Sequence, residues 1–140
     1  FFYISKYTMP FLNDSAVPQS RFLHQVDQLP EDLGNYVLKP LFSFSGSGVI
    51  FHVTREDIDR IPKADRKNYL LQRKVHYEPV VQAPDGLVKA EIRLLYLWEP
   101  GFARPTLLTN LARLSRGEMI GVKYNKDKTW VGGTVCFFES

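Results

Sequence analysis

The stretch from Leu87 to Trp98 constrains the fold of this chain more than any other. Val88, Ala90, Ile92, Leu94, Tyr96 and Trp98 fall on one face of an extended segment, and Lys89, Glu91 and Arg93 on the other, because successive side chains of a strand point to opposite faces. Just before it stand Val80-Val81 and the tetrapeptide Ala83-Pro84-Asp85-Gly86. There Pro presets the first corner of a turn and Gly accepts positive φ at the last. The pattern predicts a hairpin and, with it, antiparallel sheet. Leu95 and Leu97 continue the charged face as apolar residues, which predicts that this face is partly covered.

Further strands are predicted at Tyr36–Lys39, stopped by Pro40, and at Gly48–Val53, Tyr69–Val75, Thr106–Leu114 and Met119–Tyr124, the last two joined through Ser115-Arg116-Gly117-Glu118. Helices are few. Pro10, Pro18 and Pro30 interrupt the first third of the chain, leaving room for one short helix within Ser20–Leu29, on which Phe22, Leu23 and Val26 form an apolar face. Thr54 reads as an N-cap with Asp57 three residues on, Ile58 and Ile61 on the buried side and Pro62 as the stop. The fold class expected is α+β, mostly antiparallel sheet with a few short helices.

The 140 residues, 44% hydrophobic and 24% charged, suit one domain overall, with an opening segment over 1–34 and a sheet region over 35–140. A core of this size needs no disulfide or metal to fold. Cys136 is the single cysteine, which excludes an internal disulfide framework and a Cys-rich zinc site and fits a reducing, cytoplasmic setting; among Val135, Phe137 and Phe138 it is expected to be a buried apolar residue. No apolar run approaches the length of a membrane span. Eighteen basic against fifteen acidic residues give a net charge of +3 spread along the chain, a balance that suits a partner with phosphates without demanding nucleic acid. The chain begins Phe1-Phe2-Tyr3-Ile4 without an initiator Met or the features of a signal peptide, and is expected to be a piece of a longer protein.

Two places could carry chemistry. Lys39, at the end of a strand, is followed by Phe42-Ser43-Phe44-Ser45-Gly46-Ser47-Gly48. Glycine lets backbone N–H groups converge on phosphate oxygens and lysine supplies a point charge, although the bland alternative is a hairpin loop beside a surface lysine. Neither common nucleotide fingerprint is present, and the loop leads into a strand rather than a helix. The second place is the row Lys89, Glu91, Arg93. A carboxylate flanked by cations can hold a divalent cation and steer phosphates, or can simply make cross-strand pairs on a solvated face. Arg113, inside an apolar strand, should have a definite partner, and Lys123 and Asn125 follow one hairpin later. His24, His52 and His76 show no metal-ligand spacing.

Taken in order, these features resemble the nucleotide-binding core of the ATP-grasp superfamily, in its glutathione synthetase-like branch. Val17-Pro18-Gln19-Ser20 resembles the V-P-x-[ST] segment, Tyr36–Pro40 the strand bearing the phosphate-binding lysine, and Ser43–Gly48 the loop that closes over the triphosphate. Leu71-Gln72-Arg73-Lys74-Val75 resembles the hinge strand whose backbone pairs with adenine, with Gln72 in place of the commoner Glu. Glu78 lies where a ribose-binding carboxylate follows. Glu91-Ile92-Arg93 is similar to the [DE]-x-R strand, Arg113 to its later strand arginine, and Gly132-Gly133 to a glycine pair near the substrate loop. The resemblance spans roughly residues 17–133 through short motifs.

The resemblance implies an ATP-binding domain of a carboxylate–amine or thiol ligase that works through an acyl phosphate. Lys39 with Ser45, Gly46, Ser47 and Gly48 would hold phosphates; Gln72, Arg73, Lys74 and Val75 would read adenine and Glu78 ribose. Arg93 and Arg113 would be the catalytic charges. The family's terminal metal pattern, a strand Asp followed by Glu-x-Asn, does not occur before Ser140. Either Glu91 and Asn125 serve as ligands for magnesium (Mg2+), or those residues lie outside this chain. The partners implied are ATP, an unidentified carboxylate substrate and the remaining domains of the same protein, with a homo-oligomer compatible and no membrane. The alternative is a non-catalytic binding module that contacts nucleic acid or protein through a basic, aromatic-rich sheet. Nucleic acid is disfavoured, because the aromatics fall mostly on the apolar strand faces and no RNP-like signature is present.

Overall fold

Residues 5–121 and 124–137 are described by a computed structural model of the chain. They fall into two separately packed units, Phe1–His76 and Tyr77–Ser140. Both are built on antiparallel sheet, and the architecture is α+β.

The first unit carries β1 (Ser20–Phe22), β2 (Tyr36–Pro40), α1 (Arg55–Asp59) and β3 (Tyr69–Arg73). Its sheet runs β1-β3-β2, with β3 antiparallel to both neighbours. Alternation along the strands divides the apolar residues between two faces. Leu38 and Leu71 join Leu23, Leu33, Val53 and Ile58 in the main core on one side, and Phe22 and Leu70 join Leu41 on the other, with Met9 against them. Leu38, Ile58 and Leu70 are fully enclosed, each contributing about 2 kcal/mol through apolar burial. Helix α1 is too short to persist by itself. It forms because Thr54 and Asp57 close a capping box, Asp57 N donating to Thr54 Oγ1 at 3.3 Å and Thr54 N to the Asp57 carboxylate at 3.0 Å, and because Ile58 anchors it in the core. Pro62 ends the helix as expected, and a 3-10 turn over Lys63–Asn68 leads into β3.

Two expectations are corrected here. Ser20–Leu29 is not a helix: Ser20–Phe22 is a strand and Leu23–Gln25 a single 3-10 turn. Residues 20 and 22 are buried and Arg21 is exposed, so pairing with Leu70–Gln72 overrides a weak helical spacing confined between two prolines. Gly48–Val53 is reduced to one bridge, Leu38 with Ile50, because Gly48 has φ +69° and Val53 already turns toward the cap of α1. The opening residues are built into this unit through β1, and the division between units falls after His76.

The second unit carries β4 (Pro79–Ala83), β5 (Gly86–Leu97), β6 (Thr106–Ser115) and β7 (Gly132–Thr134) in the order β4-β5-β6-β7. The Pro84-Asp85 turn closes the β4–β5 hairpin, with Ala83 opposite Gly86. Strand β7 was not foreseen. The expected strand over Met119–Tyr124 is absent from its described residues, Val122 and Lys123 lying outside them. The cause is the Asn125 side chain. Its Oδ1 accepts from Arg116 N and Gly117 N at 2.8 Å and from Ser115 Oγ at 3.1 Å, while Nδ2 donates to Gly121 O at 2.9 Å and Met119 O at 3.5 Å. These bonds fold the segment into a loop instead of a ladder. Gly117 is needed inside that loop, since a Cβ there would come within 2.2 Å of Tyr124 O.

Beyond the reach of β4 and β7, the paired strands β5 and β6 stand as a two-stranded ribbon. Leu94, Leu95, Tyr96, Leu97 and Leu108 are exposed along it. The expected covering of the Leu95–Leu97 face is therefore not supplied within the described residues. Cys136 is also not enclosed: it is partly exposed between exposed Val135 and Phe137, held by paired backbone bonds of 2.9 Å with the Asn110 carboxamide, and Phe138 lies outside the described residues.

Candidate functional site

On the first unit, Ser20 faces Gln72 across β1 and β3, and Gln72 faces Val37 across β3 and β2. Lys39, two residues along β2, is thus the diagonal neighbour of Gln72 on the same face. The three side chains join in one row of hydrogen bonds. Lys39 Nζ donates to Gln72 Oε1, Gln72 Nε2 donates to Ser20 Oγ at 2.8 Å, and Ser20 Oγ donates to Pro18 O at 3.1 Å. Gln72 is only 3% exposed. Its carboxamide orients a lysine, and both its ends are engaged inside the unit.

A second lysine stands nearby. Lys6 Nζ donates to Pro40 O at 3.0 Å and to Ser43 O and Oγ at 2.9 Å each, which pins the start of the loop after Lys39. Burial pushes the Lys39 ammonium below the ordinary lysine value, and the like charge of Lys6 pushes it the same way; burial also lowers Lys6. Among the described residues no carboxylate lies within 4.0 Å of either ammonium. Two half-buried cations set side by side without an acid are costly unless an anion visits them.

The loop beyond them has Ser45, Gly46 and Gly48 at φ values of 52°, 75° and 69°. Ser47 N donates to Phe44 O at 2.8 Å and Val49 N to Gly46 O at 3.2 Å, so those amides are engaged. The N–H groups of Ser45, Gly46 and Gly48 meet no acceptor among the described residues. The antiparallel bridge of Leu38 with Ile50 sets Gly48 beside Pro40, where a Cβ would approach Pro40 Cγ to 2.9 Å. Glycine is required there on both counts, and the loop is held next to the Lys39 end of β2. Backbone N–H groups left open in such a loop are available to an anion.

Two of the remaining hinge residues are engaged within the first unit, although Arg73 is exposed. Arg73 Nη1 contacts Asp32 at 3.2 Å and Tyr36 Oη at 3.3 Å, and Lys74 Nζ lies 4.5 Å from the centre of the Phe51 ring. The N–H groups of Arg73 and Lys74 donate to Gln19 O at 2.8 Å and Asn35 O at 2.9 Å. Val75 is exposed, and Glu78 is an exposed residue of the second unit.

In the second unit the expected partner of Arg113 is Glu91, directly opposite it across β5 and β6. Glu91 Oε1 accepts from Arg113 Nε at 2.9 Å and Nη2 at 2.5 Å, and from Arg93 Nε at 2.8 Å. Burial opposes ionisation of Glu91, but the hydrogen bonds and charges of the two arginines outweigh it and hold the carboxyl below its ordinary value. A carboxyl depressed on folding stabilises the native state above its unfolded pKa, and that contribution is lost as pH falls through the folded value. Glu91→Gln should accordingly lower stability at neutral pH and flatten the acid limb of a melting-temperature profile, a difference that would vanish if the pair were idle. The hydroxyl of Tyr77 is raised by burial and by Glu91, against the opposing influence of Arg113 and Arg93.

This arrangement does not fit a magnesium site. Glu91 already pairs through Oε1 with two guanidinium groups, whose positive charges oppose a cation beside them, and the Asn125 oxygen already accepts three hydrogen bonds. The structure does bring Arg113, Asn125, Gly132 and Gly133 to one cleft of about 430 Å³, with Ile120 and Lys126 also on its walls. Lys123 lies outside the described residues. Lys6 is a site residue that local sequence pattern does not reveal; it is brought in by contacts with Pro40 and Ser43, distant in the chain. No family model, curated protein or solved structure matches this chain.

Proposed function

We propose that the first unit binds the phosphates of ATP, and that the chain serves as the nucleotide-binding part of an ATP-dependent carboxylate–amine or thiol ligase. The observation that carries the phosphate reading is the pair Lys39 and Lys6, two ammonium groups with no acid partner among the described residues, followed by a loop whose amides at Ser45, Gly46 and Gly48 are open. Lys39 would neutralise one phosphate, Lys6 would hold the loop in place, and the loop amides would donate to the terminal phosphate oxygens. The ligase assignment rests on the resemblance. In it a substrate carboxylate oxygen bonds to the γ-phosphorus as the bond to ADP breaks; an amine or thiol then bonds to the acyl carbon, releasing phosphate and a proton. The resemblance assigns the transfer charges to Arg93 and Arg113, which in this chain belong to the second unit and are both paired with Glu91.

Calorimetric titration with Mg-ATP and Mg-GTP tests the reading. Selective, salt-tolerant ATP binding supports it. RNA or DNA binding that falls steeply with salt, without selective ATP binding, would favour the binding-module alternative instead.

A further inference from the structure

One strand edge in the second unit is open. Strand β5 pairs with β4 only as far as Lys89, and from Arg93 to Leu97 its outer edge has no strand beside it among the described residues. In an antiparallel ladder every second residue turns its N–H and C=O away from the partner strand, so this edge is a row of unused donors and acceptors. The irregularity in the ribbon does not blunt it. Leu95 is opposite Thr109 and Tyr96 opposite Leu107, which makes Leu108 of β6 the extra residue and leaves β5 running unbroken.

The side chains along the open edge have a charge order. Leu94, Leu95, Tyr96, Leu97 and Trp98 are uncharged and between 45% and 66% exposed, and they are bracketed by Arg93 and Glu99, both exposed. The Glu99 carboxylate has no hydrogen bond or ion pair among the described residues. Arg93 engages Glu91 through Nε alone, so both its Nη groups are open.

We infer that β5 pairs edge to edge with β5 of a second copy of this chain, antiparallel and centred on Tyr96. In that register Tyr96 faces its own counterpart, Leu95 faces Leu97, Leu94 faces Trp98, and Arg93 faces Glu99 at both ends, by counting along the sequence. Two-fold symmetry makes each unlike pair occur twice, and opposite charges or large apolar groups directly across two strands attract. Neighbouring registers lose this match. Centred on Leu95, Glu91 meets Glu99; centred on Leu97, Arg93 meets Gly101. The pairing also turns a two-stranded ribbon, marginal by itself in water, into a four-stranded sheet. Nothing in it depends on nucleotide binding.

Sedimentation of the whole chain at about 0.1 mM, above the micromolar Kd that so small an interface allows, should show a dimer. Glu99→Arg sets Arg against Arg at both ends, and Arg93→Glu sets Glu against Glu, so each variant alone should dimerise at least about tenfold more weakly. Mixed in equal amounts, the two variants regain opposite charges at both ends and should form a heterodimer, a rescue that a role for either side chain within one chain would not give. In a Cys136→Ser background, Tyr96→Cys should oxidise to a disulfide-linked dimer, since directly paired Cα atoms stand about 5 Å apart. Leu94→Cys, four positions along the strand from its counterpart, should not. Circular dichroism checks folding, and if Arg93→Glu does not fold, Glu99→Arg and the two cysteine variants decide. A monomer at that concentration, a dimer indifferent to Glu99→Arg, a mixture of folded variants that stays monomeric, or cross-linking through position 94 in preference to 96 overturns the pairing.

Discussion

Lys39→Ala is expected to weaken ATP binding by about tenfold or more, the loss of one charge-assisted contact to phosphate. Lys39→Met is the sharper variant, because it keeps the apolar stem and removes only the ammonium. It should lose affinity equally, while its melting temperature reads two opposed effects: relief of a desolvated cation beside Lys6 and a buried Gln72 Oε1 left without its donor. The pH dependence follows from the same shift. Lys39 is lowered in the folded chain, so its unfavourable contribution to stability at neutral pH is relieved as pH rises through the folded pKa toward the unfolded one. Anion affinity runs the other way. It should fall as pH rises through the lowered value, while an ordinary lysine is still charged. Phosphate raises the pKa again, so binding near that pH should take up protons, which titration in two buffers of different ionisation enthalpy measures. Unchanged affinity in Lys39→Met would remove the basis of the ATP reading.

Asn125→Ala is expected to cost the second unit about 3 kcal/mol, because it leaves buried backbone groups without partners. Asn125 is 8% exposed, and its carboxamide stands in for the ladder that residues 116–121 do not form. Asn125→Asp keeps the acceptor for Arg116 N and Gly117 N but loses both donors, and should not restore stability. Urea unfolding reads the effect as a shifted midpoint. A metal ligand would behave differently: its loss would leave the metal-free chain as stable as before and alter only magnesium dependence. An unshifted midpoint in Asn125→Ala would refute the structural role.

The same residue marks where sequence pattern stops being informative. Met119–Tyr124 has the composition of a strand, and a side-chain amide reaching back from position 125 to the carbonyls of Met119 and Gly121 holds residues 119–121 out of a ladder. Ser20–Leu29 fails for a related reason. Its helical spacing is local, whereas the competing strand is decided by Leu70–Gln72, some fifty residues away. At the lysine site, Lys39 and its glycine loop were legible because a strand end followed by positive-φ residues is a local pattern. Lys6 was not, because nothing between positions 6 and 43 signals that those residues meet.

What the sequence by itself determined is therefore the set of elements whose physics is local: the alternating β5, the Pro84-Asp85 turn, the Thr54–Asp57 cap and the antiparallel α+β class. It also placed Glu91 and Arg113 on strands and expected a partner for the arginine. Only the tertiary structure decided that these two are each other's partner, that Gln72 orients Lys39, that Lys6 stands beside it, and that Asn125 is tied into a loop. Each of those outcomes depends on register between strands or on contact between remote segments. A side chain's own neighbours in the chain do not specify which distant donor or acceptor folding will bring to it.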